Sequence, residues 1–67
     1  MTLNSLKTLI SGRVEVCTEA TKYGVTETIT LLEGTTPSVF NNASAAMLEA
    51  NVVGISSQGL AVRITIE

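Results

Sequence analysis

Apolar and polar residues alternate twice in the first half of the chain. In RVEVCTEA, residues 13–20, Val14, Val16, Thr18 and Ala20 share one face, and Arg13, Glu15, Cys17 and Glu19 the other. In VTETITLLE, residues 25–33, Val25, Ile29 and Leu31 share a face with Glu27, against Thr26, Thr28, Thr30 and Leu32. A period of two is that of a half-buried strand. TKYG lies between them and ends in the glycine that a hairpin loop favours at its left-handed position. The two segments therefore predict an antiparallel hairpin. LAVRITIE, residues 60–67, has the most regular alternation: Leu60, Val62, Ile64 and Ile66 face in, and Ala61, Arg63, Thr65 and Glu67 face out.

The period changes in PSVFNNASAAMLEANVVG, residues 37–54. Val39, Phe40, Ala43, Ala46, Met47 and Ala50 recur at helical spacing and form one apolar stripe. Thr36 before Pro37 marks a start, because proline at the first helical position has no N–H to leave unsatisfied; Asn42 is an alternative start. Val52 and Val53 lead to Gly54 as a stop, and SSQG reads as loop. Near the N-terminus, Leu3, Leu6 and Ile10 suit a short helix ending at Gly12, while the threonines among residues 2–11 suit a strand, so both readings stand. The expectation is a single α+β domain spanning residues 1–67, of order (α)ββαβ. Its three-stranded, mainly antiparallel sheet has the last strand beside the first and the helix packed on one face.

Composition sharpens this picture. A domain of 67 residues buries only about 60% of the surface its unfolded chain exposes, and usually needs a disulfide, a metal or a partner. Cys17 is the lone cysteine, and the chain contains no histidine and no aspartate. Zinc sites need converging Cys, His or carboxylate ligands, so no metal or cofactor site is expected. Oligomerisation remains. The chain is 45% hydrophobic and 15% charged, with a mean hydropathy of +0.39. No apolar run approaches the ~18 residues that span a bilayer, and MTLNSLKTLISG lacks the regions of a signal peptide. A lone thiol fits a reducing cytoplasm. With a net charge of −2, four scattered basic residues and only Tyr23 and Phe40 as aromatics, nucleic-acid binding is disfavoured.

The helical stripe is unusually rich in alanine. Alanine is the best helix former, but it also leaves a thin helix that a second backbone can approach closely. Ala43, Ala46, Met47 and Ala50 are thus the candidate oligomer interface. Ten threonines are present, and Thr26, Thr28 and Thr30 project from one sheet face. Strand propensity accounts for them; they are also the candidate face for a polar ligand or partner. Cys17 has no histidine to activate it, and flanking Glu15 and Glu19 disfavour the thiolate. Glu15, Glu19 and Glu27 read as solubilising charges rather than acid–base groups. Glu27, on an apolar face, sits near the hairpin end, is re-aimed by a bulge, or pairs with a basic residue across an interface. EGTTPS lacks the lysine of a phosphate-binding loop.

The function expected is non-catalytic. The chain reads as a small cytoplasmic homo-oligomeric interaction module, of the kind bacteria and their phages encode in short genes. It would bind another protein, or a small polar molecule at a subunit interface. The competing reading is a structural subunit of a larger assembly, such as a virion component, joined through open strand edges.

Overall fold

The computed structural model describes residues 1–67 apart from the side chain of Gln58. The hairpin is present: β1 (Arg13–Lys22) pairs antiparallel with β2 (Val25–Thr35), from Arg13 opposite Thr35 to Lys22 opposite Val25. Tyr23 and Gly24 close it with φ of 54° and 77°, positive at both positions as in the type I′ turn whose twist matches the strands. The register slips once. Val16 faces Leu32 and Cys17 faces Thr30, so Leu31 is an extra residue in β2, a β-bulge. The bulge reverses the expected sides of the two leucines: Leu32 packs against the core and Leu31 is exposed.

Beyond β2 the architecture is richer than the alternation predicts. The chain continues through α1 (Thr36–Asn42), α2 (Ala45–Glu49), β3 (Val52–Gln58) and β4 (Ala61–Ile66). The sheet has four strands in the order β2-β1-β4-β3. It is mixed: β1 and β4 are parallel, and the other two pairs antiparallel. This corrects the three-stranded antiparallel sheet. The last strand does lie beside the first, but an unexpected strand precedes it and reverses its direction. The segment read as helix end, stop and loop is that strand. Val52, Val53 and Ile55 are β-branched, and β-branched residues favour the pleated surface. Gly54 pairs with Thr65 rather than capping a helix. Leu60, expected to face inward, lies with Gly59 in the two-residue β3–β4 turn and is 97% exposed.

The single long helix is broken for a local reason. Ser44 is the N-cap of α2, its hydroxyl accepting from the Met47 N–H at 3.2 Å, and Ala43 is extended at ψ 136°. Asn42 donates its side-chain amide to the Ser38 carbonyl at 2.8 Å. Short polar side chains that bond the nearby backbone compete with helix continuation. α1 starts one residue earlier than expected, with Thr35 as N-cap and Thr36 as the first helical residue before Pro37. The Thr36 backbone N–H and hydroxyl both donate to the Gly12 carbonyl, at 2.8 and 2.9 Å, and tie the helix start to the entry of β1. Residues Leu3–Leu6 form a 3₁₀ helix. Just before it, Thr2 bridges Asn51, and the Val52 N–H donates to the Met1 carbonyl at 2.8 Å.

The core is Leu3 and Leu6, Val14 and Val16 of β1, Val39 and Phe40 of α1, and Ile64 and Ile66 of β4. The 3₁₀ helix, α1 and α2 therefore pack on one face of the sheet, as expected for the helix. β4 pairs with β1 only as far as Thr18. Past that point the hairpin continues as a two-stranded arm, residues 19–28, every residue of which is exposed; Ile29, Thr30 and Leu31, at the foot of the arm on the outer strand, are exposed as well. The Cα radius of gyration is 11.6 Å, with extents of 37 × 27 × 19 Å; a compact domain of this length has roughly 11 Å. Among the described residues no helix is long and apolar enough to cross a membrane.

Candidate functional site

The sheet face away from the helices carries the polar halves of the strands. Glu15 lies at its centre. It stands opposite Arg63 in β4 and two residues from Cys17, which itself faces Thr30 and Thr65. One carboxylate oxygen, Glu15 Oε1, accepts from the Cys17 thiol at 3.1 Å and from the Thr30 hydroxyl at 3.0 Å, and lies 3.3 Å from Arg63 Nη2. Those two hydrogen bonds, helped by the Arg63 charge, hold the Glu15 carboxyl below the usual carboxylate range. Burial, and then the bond to Glu15, push the Cys17 thiol up. A buried thiol that donates to a carboxylate stays protonated and is a poor nucleophile. The group converges on one oxygen, Glu15 Oε1, while Arg63 Nε is buried without a hydrogen-bond partner among the described residues.

The candidate threonines meet on this face. Thr30 joins the Glu15 cluster, and Thr26 exchanges a hydrogen bond with Thr21 across the hairpin at 3.0 Å. Thr28 stands exposed between them, opposite Glu19. Glu27 lies on the other face of the arm, opposite Ala20, and is exposed near the hairpin end. The alanine stripe is divided. Ala43 sits in the link between the helices and Ala46 is exposed on α2, whereas Met47 and Ala50 pack against the core.

The alternation does not reveal the Glu15–Arg63 pair, because their meeting depends on the parallel β1–β4 register. Nor does it reveal the arm. On the arm and its turn Tyr23 and Val25 are 93% and 60% exposed, and at its foot on the same open edge Ile29 and Leu31 are 44% and 41% exposed. At the opposite edge of the sheet, β3 exposes Val53 and Ile55. Among the described residues there is no enclosed pocket. Comparison with family models, curated proteins and solved structures finds no match for this chain.

Proposed function

We propose that the protein is a small, non-catalytic, self-associating interaction module of the reducing cytoplasm. The observation that carries the reading is the bare two-stranded arm, whose apolar side chains are exposed along an open strand edge. An isolated two-stranded hairpin is marginal in water, and an open apolar edge is a template for another strand. Supporting it is the state of the lone thiol, which is buried and raised in pKa and so suits a structural role. A buried Cys17 predicts that Cys17→Ser leaves association intact and costs about 1–2 kcal/mol of stability. Loss of association in a folded C17S protein would assign the thiol a role in binding.

One observation favours a second reading, a subunit of a larger assembly: both outer strands, β2 and β3, carry exposed apolar residues. Two open edges per copy allow growth, whereas one closes a dimer. Sedimentation velocity over a wide concentration range tests both. A small closed oligomer is expected. Discrete large particles or fibres would favour the assembly subunit, and a 7.0 kDa species at every concentration would overturn self-association.

A further inference from the structure

We infer that the partner of the arm is the arm of a second copy: β2 pairs antiparallel with β2 across a two-fold axis at Thr28, joining two four-stranded sheets into one of eight. The inference rests on the self-association proposed above and assigns its surface and register.

The choice of edge follows from what each edge lacks. The start of β3 is already met by the N-terminal segment, through the Thr2–Asn51 bridge and the Val52–Met1 hydrogen bond, and β3 is irregular between Val52 and Gly54. β2 has no such cover. Its outer half, Val25–Thr28, pairs only with Lys22 to Glu19 of β1, where β4 has already ended. A third strand against β2 is the missing support.

The register follows from pairing rules and charge. Residues directly opposite in an antiparallel pair share a face. β2 alternates regularly from Val25 to Thr30, until the bulge at Leu31. Centring the axis on Thr28 pairs Thr26 with Thr30, Glu27 with Ile29 and Thr28 with its own copy, and brings Val25 beside Leu31. All of the regular stretch is then used, and the exposed Val25, Ile29 and Leu31 gain apolar neighbours. The other registers are poorer. An axis on Glu27 sets two carboxylates face to face, and like charges directly opposite are destabilising. An axis on Thr30 opposes Glu27 to Glu33 and runs through the bulge. An axis on Ile29 opposes Thr26 to Leu32, which lies beyond the bulge. With the axis at Thr28 the two copies of Glu27 are only diagonal neighbours, so added salt should strengthen the pairing by screening them. The threonine stripe becomes continuous across the axis, which gives Thr26, Thr28 and Thr30 a use that needs no small-molecule ligand.

Symmetry makes the test specific. In Thr28→Lys two ammonium groups meet on the axis, while each single chain places its lysine on an exposed strand position. T28K is expected to sediment as a 7.0 kDa monomer with wild-type circular dichroism, as is Thr28→Glu. Mixing the two should restore a dimer that native mass spectrometry identifies as the heterodimer. As a second variant, Thr28→Cys in a Cys17→Ser background should give a disulfide-linked dimer on oxidation, because strand-opposed Cα spacings suit a disulfide. Thr26→Cys and Thr30→Cys should each fail to link alone. A wild-type protein that is monomeric throughout overturns self-association and this inference together. A wild-type oligomer that persists in T28K, or that crosslinks at position 26 or 30 but not 28, overturns only this register and leaves the association to another surface.

Discussion

At the base of the β1–β2 hairpin, Val14 and Val16 are 1% and 0% exposed; near its tip, Val25 and Ile29 on the same face are 60% and 44% exposed. Base and tip share the alternating pattern, and the pairing between the strands is continuous except at one bulge. What differs is the neighbourhood. At the base β4 supplies a third strand, and α1 contributes Val39 and Phe40 to the layer above. Toward the tip both run out: β4 ends at Ile66 beside Thr18, the partner of Ile29, and Val25 lies wholly beyond it. Alternation therefore decides which face of a strand is apolar, while topology decides how much of that face is covered. The uncovered part is where a second chain gains most, since burying an apolar side chain contributes roughly 1.5–3 kcal/mol.

The strongest way to break the contrast is to make the base resemble the tip. Deleting residues 60–67 removes β4, the central strand that pairs with both β1 and β3. It takes with it Ile64 and Ile66, at 0% and 4% exposure. For a domain whose stability is about 5 kcal/mol, the expected outcome is an unfolded or aggregating chain, read as loss of a cooperative thermal transition. A folded truncation would mean that the hairpin base needs no third strand.

A matched pair of substitutions measures the same contrast on one residue type. Ile64→Ala should cost about 2–5 kcal/mol, the range for emptying a packed aliphatic site. Ile29→Ala should change the stability of the single chain by no more than about 0.5 kcal/mol, while weakening association. Urea unfolding at low and high protein concentration separates the two effects. Equal costs at low concentration would show that the arm is packed within one chain.

How legible this was depends on range. The hairpin, its turn, the start of α1 and the face assignment of β1 and β4 are local, and the alternation or a capping signal carries each of them. The break at Ser44 was legible in kind, since serine and asparagine compete with helix continuation, but the regular recurrence of Phe40, Ala43, Met47 and Ala50 outweighed it. β3 is not legible locally, because Val52–Gly54 fits a helix stop as well as a strand start, and only the hairpin with β4 decides between them. The bulge at Leu31 and the parallel Glu15–Arg63 contact are properties of pairing, and one strand's pattern does not contain them. Thr26, Thr28 and Thr30 share one sheet face, as their spacing predicts. The exposed apolar tip was hidden, because Val25 and Ile29 look like core residues when read along the chain.

The carboxylates of base and tip also differ in their surroundings. Glu15, at the base, is tied to Cys17, Thr30 and Arg63; Glu27, at the tip, is exposed. Because the Glu15 pKa is lowered on folding, the unfolded chain binds its proton more tightly. The stabilisation is complete above the ordinary carboxylate pKa and is lost as pH falls through the lower folded value. Wild type and Glu15→Gln should therefore differ at pH 7, with E15Q the less stable, and converge as the pH falls through the lowered pKa of the folded carboxyl. Parallel profiles for wild type and E15Q, measured by urea midpoint, would remove Glu15 from the acid response.

The smallest expected effect is at the turn itself, and its sign is informative. Tyr23 holds φ 54°, a left-handed conformation that costs a residue with an ordinary side chain roughly 1–2 kcal/mol and that asparagine tolerates far better. Asparagine before glycine is also the favoured type I′ pair. Against this stands the Lys22 ammonium over the Tyr23 ring at 5.5 Å, worth about 0.5 kcal/mol at an exposed site. Tyr23→Asn should therefore stabilise the single chain by about 0.5–1 kcal/mol. With the axis at Thr28, Val25 lies beside Leu31 of the second copy, and the Tyr23 turn next to it reaches that copy's strand just beyond the bulge. Removing the ring should then weaken association. A variant that folds more stably but dimerises less well would indicate that the strained tyrosine serves the contact between copies. Gains in both would place the ring outside that contact and favour a pairing shifted toward the arm's base.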